Sequence, residues 1–282
     1  MNEQISRLIE IKRLERNSKK NSDTKIISVC SGKGGTGKSF LALNFGYKLS
    51  RLNKKILIVD FDFNFSNLHL MINEIAENPI SNLFLQRSSL DELIFRYSEN
   101  LHFIFGDSGS SEFPKLNSDL LEYFFIHLDY IANEYDYIIL DSSAGADDLI
   151  IYQLSRSDIN LITASPEPTA VMDAYVLIKI INENLQQPKN FVVINKADNK
   201  EEGEQAFKNL NTAVNHFLKT EIILLGVVDY DRMVYKSIVN QELFAAVYPN
   251  SVASLEIDEI VHRFLKIAHV ANSNQPYSSI LP

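Results

Sequence analysis

Ser31-Gly32-Lys33-Gly34-Gly35-Thr36-Gly37-Lys38-Ser39 fits G-x-x-x-x-G-K-[ST], the pattern of a loop that holds phosphate. The apolar run Lys25-Ile26-Ile27-Ser28-Val29-Cys30 leads into it. A periodic run with Leu41, Leu43, Phe45, Leu49 and Leu52 follows. The stretch therefore sits at a strand-to-helix junction, where its physics requires it. Glycines let the backbone take φ > 0 and approach an anion closely. Successive N–H groups then form a nest, and the helix N-terminus adds partial positive charge. Lys38 can reach the β- and γ-phosphates, and the Ser39 hydroxyl can ligate Mg²⁺. Lys33 is unusual, because an ordinary phosphate loop does not ask for a second lysine right after its first glycine.

Working outward, Lys54-Lys55-Ile56-Leu57-Ile58-Val59-Asp60 is a continuous apolar run that ends in a carboxylate. Buried parallel strands read this way, and ligands collect at their C-terminal ends. Asp60 can hold the loop lysine or a Mg²⁺-bound water, and Asp62 can orient an attacking water. A turn-capping aspartate is the plainer role for each. Asp136-Tyr137-Ile138-Ile139-Leu140-Asp141 ends the same way, the pattern in which a carboxylate holds Mg²⁺ beside the phosphates. Phe191-Val192-Val193-Ile194-Asn195-Lys196 ends in an amide, which offers a donor and an acceptor to a nucleobase edge. Asn195-Lys196-Ala197-Asp198 also resembles the guanine-reading N-K-x-D element, so the choice of base stays open at this point.

The chain has 282 residues, 45% of them hydrophobic, enough for the core of one large α/β unit. Its net charge of −9 argues against sequence-independent nucleic-acid binding, which depends on neutralised phosphates. The single cysteine, Cys30, lies inside an apolar strand, so a small buried hydrophobe in a reducing cytoplasm is expected. No apolar run reaches membrane-spanning length and no signal-peptide core is seen.

Residues 79–98 read as two short helices, Leu101–Phe105 as a strand and Asn117–Asn133 as a helix. Ile159–Ala164 reads as a strand, with a long helix from Pro168 or Thr169. A helix is expected over Glu201–Leu218, a strand over Ile222–Val228 and a last helix over Val252–Val270. Strands alternating with helices predict a doubly wound, mainly parallel sheet with helices on both faces. Three regions follow: an amphipathic arm and linker over residues 1–22, a nucleotide-binding domain over 23–271, and a polar tail over 272–282.

These residues carry a resemblance. Lys33 with Lys38 makes Lys-Gly-Gly-Thr-Gly-Lys-Ser, which resembles the deviant Walker A of the MinD/ParA (SIMIBI) ATPases. Val59-Asp60-Phe61-Asp62 before Asn67-Leu68, the Asp141–Gly145 turn, and Pro166-Glu167-Pro168-Thr169-Ala170 with Asp173-Ala174-Tyr175 fit the same family in order. Met1–Leu8 and Tyr248-Pro249-Asn250-Ser251 look most like its FlhG (FleN/YlxH) branch of flagellar number regulators. The resemblance implies a homodimer closed over two ATP molecules, with Lys33 reaching the partner's phosphates. Lys33, Asp62 and Lys38 would serve catalysis. Gly32, Lys33, Gly34, Gly35, Thr36, Gly37, Lys38, Ser39 and Phe40 would hold the nucleotide, with Asn195, Lys196 and Asp229 around the base. Ser39, Asp60 and Asp141 would serve Mg²⁺. Implied partners are an SRP-type GTPase (FlhF-like) engaged by residues 1–20 and flagellar switch proteins. A cytoplasmic protein is implied, with peripheral contact to the inner membrane face left open. Only Ala271–Pro282 follows the last core helix, short and without basic residues.

Thr36 replaces the usual Val, Ser143 stands where Pro is typical, and His69 where Asp is common. A MinD- or ParA-like regulator of division or of DNA and cargo partitioning is the alternative. A metal-cluster carrier is opposed by the lone Cys30, since bridging clusters need several thiolates.

Overall fold

The computed structural model describes residues 23–63, 66–107 and 116–271. The arm and linker over 1–22 and the tail over 272–282 lie outside the described residues. The elements run β1 (Lys25–Cys30), α1 (Lys38–Arg51), β2 (Ile56–Phe61), α2 (Leu68–Met71), α3 (Ser81–Phe84), β3 (Phe95–Arg96) and β4 (Leu101–Ile104). They continue with α4 (Ser118–Ile131), β5 (Tyr137–Ser142), α5 (Asp148–Ser155), β6 (Ile159–Ala164), α6 (Pro168–Asn184) and β7 (Asn190–Ala197). Last come α7 (Lys200–Ala213), β8 (Ile223–Asp229), α8 (Arg232–Val239), α9 (Phe244–Val247) and α10 (Val252–Ala271).

The eight strands form one sheet in the order β3-β4-β2-β5-β1-β6-β7-β8. Among the described residues only β3 runs antiparallel, against β4. β1 lies between β5 and β6, so the loop that follows it opens at the centre of the sheet's C-terminal edge. That edge, where chain order reverses, is where open α/β sheets bind ligands.

Strand period explains the two-sided core. Ile27 and Val29 of β1 and Ile56 and Ile58 of β2 face α1 and α10, in a cluster with Phe45, Leu49, Ile260 and Phe264. Leu57, Val59, Ile138 and Leu140 turn the other way, onto Phe124, Phe125 and Leu128 of α4. Cys30, Ile162, Ala164, Val192 and Ile194 cover the same far face under α5, α6 and α7. Cys30 is fully buried and its thiol is pushed up to about 12 by that burial, which suits a packing residue rather than a nucleophile. Phe264 is 1% exposed and meets the rings of Phe45 at 5.2 Å and Tyr137 at 5.6 Å. Phe264→Ala is expected to cost about 3–5 kcal/mol, read as a lower urea midpoint at unchanged slope.

Two expectations shift. Residues 79–98 hold α3, a 3₁₀ turn over Asp91–Leu93 and the edge strand β3, rather than two helices. β3 is only two residues long, too short for a periodic signal, and the Phe95 ring rests on Phe105 at 5.4 Å. The helix expected to end at Leu218 changes at Val214 into a π-helical turn, closed by Lys219 at φ 54°.

Candidate functional site

Helix ends define the site. Asn117, Asp147, Asn199 and Asp231 each cap their helices with a side-chain oxygen. α1 has no side-chain cap; Gly37 stands there at φ 92°, and its first N–H groups stay available for an anion. A Cβ at Gly37 would collide with the Asn195 amide, and one at Gly32 with the backbone of Asp173 in α6. The loop is thus clasped between β7 and α6, and only glycine fits at either contact. Gly34 and Gly35 face open space and Phe40 is buried.

Beneath the loop lie three charged side chains. Lys38 is 9% exposed, Asp60 is fully buried and Asp141 is 1% exposed. Asp60 and Asp141 are directly paired across β2 and β5. Burial raises the Asp60 carboxyl to about 6 despite four opposing hydrogen bonds. Burial, then the charge of Asp60, raises Asp141 well above the usual carboxylate range, while Ser39 and Lys38 oppose the rise. Burial lowers Lys38, with Asp141 pulling it back.

The two aspartates differ in what they hold. Both Asp60 oxygens accept hydrogen bonds: Oδ1 from the Asp62 N–H at 3.2 Å, Oδ2 from Ser66 Oγ at 2.6 Å and the N–H groups of Asn67 and Leu68 at 3.1 and 3.2 Å. The structure therefore gives Asp60 the plainer, turn-capping role that the sequence also allowed. Asp141 accepts from the Ser39 hydroxyl, but its Oδ1 is buried with no partner among the described residues. A buried acceptor without a donor is costly. A water held by Mg²⁺ would supply the missing donor, and Ser39 stands beside it, so these residues fit the ion.

Lys33 Nζ donates to Glu167 Oε2 at 2.7 Å and Thr169 Oγ1 at 3.0 Å within its own chain. Sequence reasoning missed this engagement. The signal available was Pro166-Glu167-Pro168-Thr169, a helix start without a side-chain cap. Gly145, at φ 107°, donates its N–H to the Ser31 carbonyl at 3.0 Å, tying the turn after β5 to the start of the loop.

On the base side, Asn195 Nδ2 donates to the Thr36 carbonyl at 2.8 Å, and Lys196 Nζ to the Gly35 carbonyl at 2.7 Å. Asp229 ends β8, and its N–H donates to Glu256 Oε2 at 2.7 Å. Burial chiefly raises the Glu256 carboxyl to about 7; Asp229, Glu259 and Asp231 add to the rise, and the bond to the Asp229 N–H opposes it. The folded chain thus keeps this proton where the unfolded chain has lost it. Its contribution is favourable at low pH and is lost as pH rises from about 4.5 to about 7. Glu256→Gln should therefore raise the melting temperature at pH 8 more than at pH 5, in paired thermal melts.

Among the described residues no helix is long and apolar enough to cross a membrane. The family model described as AAA domain matches residues 24–194, the span from β1 to β7 that includes the phosphate loop and both aspartates. The flagellum site-determining protein YlxH of Helicobacter pylori is 28% identical over 264 residues, covering 92% of this chain and 89% of the relative. The antiactivator FleN of Pseudomonas aeruginosa is 24% identical over 243 residues, covering 85% of each. The septum site-determining protein MinD of Pyrococcus horikoshii, solved with Mg-ADP, superposes with a TM-score of 0.74 at 21% identity, over 88% of this chain and 98% of that one. The family match takes in well over half of the chain, and the site lies inside it. The chain therefore belongs to this AAA-domain family, and it has the fold of the MinD/ParA-type P-loop proteins.

Proposed function

We propose that this protein is an ATP-driven dimerisation switch of the FlhG type that regulates the number or placement of flagella. The observation that carries the reading is the two-lysine loop, Lys33 and Lys38, in a chain that aligns over nine-tenths of its length with a flagellum site-determining protein. Lys38 and the loop N–H groups bind the phosphates. Ser39 and Asp141 would hold Mg²⁺, and Asp60, its oxygens occupied by its own turn, would contribute through its charge on the next strand. The ion, when bound, neutralises charge on the phosphate oxygens. Asp62 orients the attacking water. Lys33 leaves Glu167 and Thr169 and reaches the phosphates of the second subunit.

A triphosphate shared between two chains makes pairing depend on nucleotide, and hydrolysis removes that contact. This is a population shift driven by differential affinity. The arm over residues 1–20 is the tether for an SRP-type GTPase, and flagellar switch proteins read the dimer. The switch works in the cytoplasm, with peripheral contact to the inner membrane face left open.

Asp62→Ala protein with ATP and Mg²⁺ should double its mass in light scattering, and ADP should return it to a monomer. A monomer in both nucleotides would overturn the switch. A normal flagellar count in a strain lacking the gene would overturn the flagellar assignment alone.

A further inference from the structure

We infer that Gln153 is a positioning residue of the nucleotide site: from α5 it fixes the turn Ser142–Gly145, and through that turn the chain tells ATP from ADP. The role rests on the ATP switch proposed above.

Gln153 lies in the second turn of α5 and is 2% exposed. Its helix neighbours Ile150 and Leu154 pack in one apolar cluster with Cys30 and Ile162. Inside that layer the Gln153 amide nitrogen donates to Ser142 Oγ at 2.7 Å and to Ser28 Oγ at 3.1 Å. Ser28 Oγ lies 2.6 Å from Ser157 Oγ, and the Ser157 hydroxyl donates to the Gln153 carbonyl at 3.1 Å. Ser28 and Ser142 are buried. An amide and two hydroxyls are costly to bury, and each must find a hydrogen bond. Apolar side chains of similar size would fill the same space without that demand. What the polar set adds is a single arrangement of the elements it joins.

Those elements are the two that build the phosphate site. Ser28 belongs to β1, which feeds the phosphate loop, and Ser142 belongs to β5, directly after Asp141. The turn that leaves Ser142 is held at its far end as well, by the Gly145 N–H on the Ser31 carbonyl at 3.0 Å. Asp147 then caps α5 by accepting the Ile150 N–H at 2.9 Å. The bond from Gln153 back to Ser142, eleven residues earlier, closes this stretch into a ring. Ala144 stands exposed between the two anchors of the turn. A shift of the turn therefore strains the Gln153 bond or carries α5 with it.

The phosphate chemistry says which ligand depends on this ring. Asp141 serves Mg²⁺ in the proposed site, and in P-loop NTPases that ion bridges the β- and γ-phosphates. The turn after Asp141 is thus the segment that a γ-phosphate meets and that ADP does not reach. The α- and β-phosphates rely instead on the loop N–H groups and Lys38, which Gln153 does not touch. Loosening the turn should weaken the triphosphate and spare the diphosphate.

The test is calorimetric titration of the full chain, with Mg²⁺, using ADP and the non-hydrolysable triphosphate AMP-PNP. Gln153→Met keeps the length and bulk of the side chain and removes both donated bonds. It should weaken AMP-PNP about fivefold, the size of one buried hydrogen bond, and change ADP by less than about twofold. Ser142→Ala should give the same selective loss, and the double variant no more than either single one, because both remove one bond. Ser28→Ala leaves the Ser142 bond in place and should keep the wild-type ratio of the two affinities. Equal loss of both nucleotides in Gln153→Met, or additive losses in the double variant, would overturn the role, because a merely structural residue behaves that way. An unchanged ratio in both single variants would overturn it too, while leaving the ATP switch intact. If Gln153→Met shows no cooperative urea transition, Ser142→Ala decides alone. Wild-type protein that binds neither nucleotide would sink the nucleotide site and this role together.

Discussion

Lys38→Ala is expected to abolish ATP binding and to lower turnover by at least about 100-fold, as removal of a preorganised donor to developing charge does. Isothermal titration and a phosphate-release assay read the two losses. The effect is large because of where Lys38 sits. It is 9% exposed, above two buried carboxylates, and burial holds it below its usual range while it raises Asp60 and Asp141 above theirs. In each of the three groups burial opposes the charged form. A bound phosphate would favour the charged form of Lys38 by giving it an anionic partner. The alanine variant should consequently unfold near the wild-type midpoint in urea while failing to bind ATP. A variant that bound ATP with wild-type affinity would show that Lys38 is a packing residue.

The second large effect concerns Lys33. On the proposed switch, Lys33→Ala should stay monomeric with ATP in light scattering, because the contact proposed to join two chains would be gone, while nucleotide binding within one chain should change only a few-fold. The structure adds a control. Lys33 is held by Glu167 and Thr169, and both members of the ion pair are solvent-accessible. Exposed pairs of this kind are weak and screened by salt. A triphosphate can therefore take the lysine from Glu167. Glu167→Gln should do part of that work in advance, so that pairing begins at a lower ATP concentration. Glu167 titrates below its usual range, through its hydrogen bond to Lys33 first and their charge attraction second. The holding contact is therefore lost as pH falls through that lowered value and is fully present at neutral pH. Unchanged pairing in Lys33→Ala would mean that another surface joins the subunits.

Much of the fold could be read from residues in sequence. The runs ending at Asp60 and Asp141 are apolar at every position because parallel strands are covered on both faces. A chain that alternates such runs with periodic helices has few ways to fold. Ile159–Ala164 matches β6 residue for residue, and Pro168 opens α6 as expected, since its fixed φ suits a first helical turn. The Phe95–Arg96 strand escaped because two residues carry no period, and its position depends on a neighbour already in place. The π turn at Val214 escaped because an extra residue in a helical turn leaves the apolar spacing almost unchanged.

For the site the division is sharper. Sequence alone determined the phosphate loop, since glycines, lysine and serine at those spacings answer to the local geometry of one strand, one turn and one helix. It also determined which strand ends carry carboxylates. Tertiary structure decided how those groups share the work. Asp60 turned out to hold four donors of its own turn, while Asp141 kept a buried oxygen with no partner among the described residues. Asn195 and Lys196 proved to clasp the loop from a strand over 150 residues away in the chain, and Lys33 proved to rest on α6. Backbone geometry over a few residues is a local property and is written in local order. The partner of a long side chain depends on which distant segment the sheet brings alongside, and no spacing along the chain records that.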